Sequence, residues 1–217
     1  MKMHQMNAIR ALTRAARIST LAGFLALTAP VLQATTLLGM DIDEVARDAE
    51  LVFEGEVILR ESRRDNGTGN ISTHVTFAVM DVIAGDYSGD SLELKFLGGV
   101  FEGRIMEVSG NRIPQIGEHG IYFVESTSRD LINPLLGWSQ GHFLIYDDAG
   151  TSRMATATEA PVIDIQSTRG LAAAIKKPQT LVDGSGDPAN GVVTSENSRN
   201  ALTVPDFKSR IRRIIEN

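Results

Sequence analysis

The spacing of apolar residues changes period along the chain. Over residues 38–50, "LGMDIDEVARDAE", Leu38, Ile42, Val45, Ala46 and Ala49 recur at helical intervals. Asp41 stands at the N-cap position with Glu44 three residues on, the arrangement of a capping box. The period then falls to two. In "LVFEGEVILRES", Leu51, Phe53, Val57 and Leu59 point one way and Glu54, Glu56 and Arg60 the other, which predicts a half-buried strand. Gly55 in its middle predicts a bulge or sharp bend. The loop "RRDNGTGN" suits a hairpin, and "ISTHVTFAVMDVIAG" continues as a second long strand with Val75, Phe77 and Val79 on one face. "SLELKFLGG" alternates strictly, with Leu92, Leu94 and Phe96 inward and Glu93 and Lys95 outward. A weaker strand "GRIMEVSG", the Pro/Gly loop "NRIPQIGEHG", and strands "IYFVES", "HFLIYDD" and "TSRMAT" follow.

One short helix and then five to seven strands at hairpin spacing predict a mainly β domain over residues 35–160. Its expected form is a small, bent antiparallel barrel, OB-like. Residues 161–202 read as a linker. "STRGLAAAIKK" permits a short helix there, and the polar stretch after it buries too little apolar surface to offset its ordering entropy. Residues 203–217 predict a C-terminal amphipathic helix capped by Thr203, with Pro205 and Asp206 in its first turn. Val204, Phe207, Ile211, Ile214 and Ile215 form its apolar stripe, and Lys208, Arg210, Arg212 and Arg213 its basic side. The stripe is expected to dock on the domain.

Composition adds a compartment. Residues 1–34 join a basic start (Lys2, Arg10, Arg14, Arg17) to the uncharged apolar "ISTLAGFLALTAPVLQA", the pattern of a secretory signal peptide cleaved after Ala34. Its removal takes four basic residues and no acid, moving the formal charge from −6 to −10. Such a surface repels phosphate backbones, so nucleic acid is not an expected partner. The chain has no cysteine, which excludes disulfides, thiolate zinc sites and a cysteine nucleophile. A periplasmic or extracellular protein fits these features, with no membrane contact once the signal is removed.

Candidate chemistry is sparse. Glu118 and His119 are adjacent, so on a strand they point to opposite faces and do not converge on one metal or substrate atom. They read as a polar turn. His74 and His142 have no second ligand at i+2 or i+4, and metal sites want three or four converging ligands. "GWSQG" matches the G-x-S-x-G nucleophile elbow at Gly137, Ser139 and Gly141, but it precedes a strand instead of joining a strand to a helix. "DGSGD" at residues 183–187 lacks the glycine and glutamate that a calcium loop needs at its sixth and twelfth positions. Trp138 is either a core aromatic or a surface anchor. With Gln140 and His142 it makes one expected binding face, and the loop Gly98–Gly103 is the other expected surface; no cofactor, metal or catalytic residue is expected.

"DIDEVARDAELVFEGEVI", "VTFAVMDVIAGD", "LELKFLGG", "VSGNRIPQIGEHGIYFV", "GWSQGHFLIY" and "LTVPDFKSRIRRII" resemble a group of secreted bacterial β-barrel proteins, some of which stand in front of metalloprotease domains. The order of elements is similar to the netrin-like OB barrel of metalloprotease inhibitors, whose N-terminal cysteine is absent here. The resemblance implies the barrel and no activity, and it places Glu118 in a turn. The function expected from the residues is an exported, non-enzymatic binding domain whose partner is another secreted or envelope protein. The alternatives are a protease inhibitor or protease-associated accessory domain, and a serine hydrolase using Ser139.

Overall fold

The computed structural model describes residues 36–168, 181–183, 186 and 188–217. The expected signal peptide and residues 169–177 of the expected short helix lie outside the described residues. In chain order the elements are β1 (Thr36–Leu38), α1 (Ile42–Asp48), β2 (Leu51–Arg64), β3 (Ile71–Ala84), β4 (Ser91–Leu97), β5 (Gly99–Phe101), β6 (Arg104–Met106), β7 (His119–Val124), β8 (His142–Asp148), β9 (Thr151–Thr156), β10 (Val162–Ile165), β11 (Leu181–Asp183), β12 (Val192–Thr194) and α2 (Val204–Glu216). The fold is mainly β with two helices.

Six strands form one antiparallel sheet in the order β4-β3-β2-β7-β8-β9. The expected barrel is not closed: among the described residues, β4 and β9 do not pair. Closure is one way to remove sheet edges, and covering them is another. The β9 edge is bridged by Pro161 and Thr203, with Met154 N–H donating to Leu202 at 2.9 Å. At the β4 edge Leu97 N–H donates to Ile132 at 2.8 Å.

At the centre of this sheet both faces are buried. Leu51, Phe53, Val57, Val75, Phe77, Leu94, Phe96, Tyr122 and Val124 make one core inside the bend. Val52, Ile121, Phe123, Phe143 and Met154 make the other, covered by Ile42, Val45 and Ala46 of α1 and by Phe207, Ile211 and Ile214 of α2. The strict alternation of β4 is reproduced, with Leu92, Leu94 and Phe96 all buried. The bulge expected at Gly55 is present, as the β2–β3 register shifts between Glu54 and Gly55. A Cβ at Gly55 would lie 2.7 Å from the Ala78 carbonyl and 2.8 Å from the Phe53 ring, so the strand bends where only glycine leaves room. Leu59 departs from expectation. A further register shift between Val57 and Leu59 takes the strand out of phase, and Ile58 and Leu59 are both exposed.

The α1 capping box forms, with Asp41 N–H donating to Glu44 at 3.0 Å. The helix is shorter than its apolar stripe, because Leu38 belongs to β1 and is exposed. Thr203 caps α2 as expected, accepting from Asp206 N–H at 3.3 Å. Part of the expected linker is ordered instead. β11 pairs with β1, β12 pairs with β10, and Ala189 and Ile165 join the helix-covered core. Backbone pairing with distant strands supplies the order that its composition does not.

Phe207 is fully buried and touches the Phe143 ring at 4.9 Å between centroids. Phe207→Ala is expected to lower unfolding free energy by about 3–5 kcal/mol, measured as a fall in the urea midpoint with unchanged slope.

Candidate functional site

Three features carry chemistry. The first is a buried cluster on the bend-side core. Glu118, in the turn before β7, receives a two-pronged contact from Arg112, Nη1 to Oε1 at 3.2 Å and Nη2 to Oε2 at 2.9 Å. His142, at the start of β8, places Nε2 2.8 Å from Glu118 Oε1. His142 is buried and stacks on Tyr122 with centroids 5.0 Å apart. Arg112 Nη1 lies 3.3 Å from His142 Nδ1. These partners assign a neutral ring, with Nε2–H donating to Glu118 and Nδ1 accepting from Arg112. Burial pushes the His142 pKa down against the pull of Glu118. Burial alone would raise Glu118, but His142 and Arg112 hold it at about 2.

His119 points to the opposite face, as strand alternation requires. Its Nε2 lies 2.8 Å from Glu54 Oε1, and Glu54 also pairs with Lys208 of α2. The hydrogen bond from His119 and the Lys208 charge hold Glu54 at about 2 despite burial. Lys208 reaches Asp81 at 2.7 Å as well, so the basic side of α2 is tied to sheet carboxylates. Glu118 is therefore no solvated turn residue. Its partner His142 arrives from a strand 24 residues on, which adjacency in sequence could not reveal.

Of the residues expected to make a binding face, Gln140 and His142 are buried and Trp138 is half-buried. Gln140 is fully buried, with its oxygen accepting from Met40 N–H at 2.6 Å and its nitrogen donating to the Leu38 and Gly137 carbonyls. It ties the turn before β8 to the segment before α1. Trp138 is half-buried and opens that turn at φ 59°, a left-handed conformation uncommon for a side-chain-bearing residue. Ser139 is buried in the same single 3-10 turn, Trp138–Gly141, which leads into β8. Among the described residues no three His, Asp or Glu converge to hold a metal ion.

The second feature is a cleft of about 520 Å³ where β7 leaves β8. Their pairing stops at Gly120–Leu144, while β8 continues against β9 to Asp148. Leu144, Ala155 and Pro161 wall it, with Glu118 and Arg112 at its side. Tyr146 also lines it, and its hydroxyl is buried without a hydrogen-bond partner among the described residues.

The third feature is a groove of about 670 Å³ between the β5–β6 hairpin and the loop at residues 107–115. Gly98 (φ 108°) and Gly99 (φ 138°) turn the chain from β4 into β5 in backbone conformations that favour glycine. A Cβ at Gly99 would sit 2.4 Å from Thr73 Oγ1, so the hairpin packs directly on the far ends of β2 and β3. Asn111 fixes the opposite wall, donating to Leu97 O at 2.7 Å and accepting from Asn133 at 2.8 Å. Val100 and Ile105 on the hairpin are 58% and 69% exposed. Arg60 of β2 lines the groove with them. The sequence predicts Arg60 as an outward strand residue and the loop Gly98–Gly103 as a surface, but nothing in it brings the two together.

Compared with protein-family models, curated proteins and solved structures, the chain matches none. Among the described residues no helix is long and apolar enough to cross a membrane.

Glu54 and Glu118 titrate lower in the folded chain than their ordinary value of 4.5. The stability they carry is present above pH 4.5 and lost as pH falls toward 2. His142, neutral when folded, adds a shallower loss that begins below its ordinary 6.5. Urea titrations from pH 7 to pH 3 should show that order. Glu118→Ala should cost about 2–4 kcal/mol at pH 7 by leaving Arg112 unpaired, and its variant should lose less stability on acidification than the wild type.

Proposed function

We propose that this chain is an exported, non-enzymatic binding domain that engages another secreted or envelope protein through the β5–β6 groove. The observation that carries the reading is the hairpin itself: Val100 and Ile105 stand exposed beside a groove of about 670 Å³. The groups first suspected of chemistry are committed within the fold. Glu118 is held by Arg112 and His142, His119 by Glu54, and Gln140 by backbone. Export is supported by the basic-then-apolar start and the cysteine-free, acidic remainder. On this reading the bulged β2–β3 pair and its helix-covered face form a partly open, OB-like barrel, in line with the resemblance to secreted barrel proteins.

Two measurements test it. N-terminal sequencing of the protein recovered from the exporting host should begin at Thr35; a cytoplasmic, unprocessed chain would overturn export. A photo-crosslinker replacing Val100 should give one discrete envelope-protein adduct that Ile105→Asp reduces at least about five-fold, the size expected from losing about 1 kcal/mol of apolar contact. The same crosslinker at exposed Ser152 of β9 should give none. Equal labelling at both positions, or none at Val100, would overturn the groove as a binding surface.

A further inference from the structure

Resting on that reading of the groove, we infer that its occupant is an extended peptide carrying an acidic side chain between apolar ones, with Arg60 holding the carboxylate. Arg60 reaches the groove from β2, where it is half-buried. Its one hydrogen bond among the described residues goes to the Gln115 side-chain oxygen. Its Nε is buried without a partner, and no carboxylate pairs with it among the described residues. Arg63, Arg112 and Lys208, by contrast, each hold at least one carboxylate.

Burial pushes the Arg60 pKa down, and the nearby charge of Glu118 opposes that shift without forming a pair. That carboxylate is already occupied by Arg112 and His142. A guanidinium kept partly dry with one neutral acceptor is an incomplete arrangement. Its planar donors match a carboxylate, and the contact is worth more where water is partly excluded. The flanks set the rest of the ligand. Val100 and Ile105 rise on the hairpin side, and Ile113 lines the facing wall. A chain running past Arg60 in this groove places its neighbouring side chains on these apolar surfaces. An internal Asp or Glu satisfies this layout.

The test uses the full chain and three acetylated pentapeptides. They are Thr-Val-Glu-Ile-Thr with an amidated end, its Gln counterpart with an amidated end, and the Gln counterpart with a free carboxyl end. Amide NMR shifts report binding. The Glu peptide should move the amides of Gly98, Gly99 and Ile105 and bind about ten-fold more tightly than amidated Gln, the gain of one charge-assisted contact. Arg60→Gln should bring that ratio to about one, and Arg60→Lys should keep part of it. Arg60→Met should melt no lower than the wild type, because it removes a desolvated charge that nothing pairs.

Preference for the free-carboxyl Gln peptide would overturn the side-chain assignment. So would Arg60-dependent binding to vesicles containing an anionic phospholipid without peptide binding, or concentration-dependent self-association that blocks the groove. A large drop in melting temperature for Arg60→Met would make Arg60 a structural strut and sink the inference. Equal binding of both amidated peptides, abolished by Ile105→Asp, would sink the acid recognition while the binding-domain reading stands. Binding of no peptide overturns this inference, and crosslinking at Val100 then judges the broader reading by itself.

Discussion

Burial of the sheet centre on both faces is the constraint from which the rest of the structure follows. Leu51, Val52 and Phe53 are consecutive and all buried, as are Tyr122, Phe123 and Val124. Successive strand residues point to opposite faces, so each face needs its own cover. On one side α1 and α2 supply it. On the other the sheet supplies it by bending, which packs Phe53, Phe77 and Tyr122 edge to face or tilted at 4.7–5.4 Å. The bend requires the register shifts in β2 and the missing side chain at Gly55. Past Val57 the strand leaves the two-faced region: Ile58 and Leu59 are exposed, and Arg60 lines the groove. The groove is a consequence of the bend.

The same alternation distributes the charges. Glu118 and His119 are neighbours in sequence, yet each belongs to a different cluster on a different face. Neither cluster is a strong source of net stability, because taking the ions out of water offsets most of their attraction. Their effect is on register. A one-residue slip of β7 would send Glu118 toward the apolar helix-covered core and pull His119 away from Glu54, leaving charges buried and unpaired. The Lys208 contacts do the same for α2, whose apolar stripe alone would tolerate sliding along the sheet.

Much of this was legible in the sequence wherever one residue's surroundings are set by its near neighbours. Strict alternation in "SLELKFLGG", the Asp41–Glu44 box and the stripe of α2 each depend on local spacing, and each stands as read. What could not be read depends on distant pairing. β1 with β11 and β10 with β12 are backbone ladders with no side-chain pattern to announce them. The bulge after Val57 reverses the phase of Leu59 without altering composition. The burial of Gln140 and His142, which with Trp138 were expected to make a binding face, was hidden for the same reason. Gln140 and His142 are polar residues next to a strand, and their partners, Met40 and Glu118, come from elsewhere in the chain.

The proposed binding role rests on how firmly the ionisable groups are committed to partners within the fold. A catalytic acid or base must be free to exchange a proton with substrate, and its pKa sits near the working pH. Glu118 and Glu54 are instead held near 2 by fixed partners, so both stay ionised at neutral pH. The groove holds features of another kind: two exposed apolar side chains on a glycine-rich hairpin and a guanidinium that pairs with no carboxylate among the described residues. Exposed apolar surface favours association, and an unpaired, partly desolvated guanidinium weakens the isolated fold. Placed together in one groove they define complementary requirements, apolar contact and negative charge, that a single acidic, apolar segment meets at once.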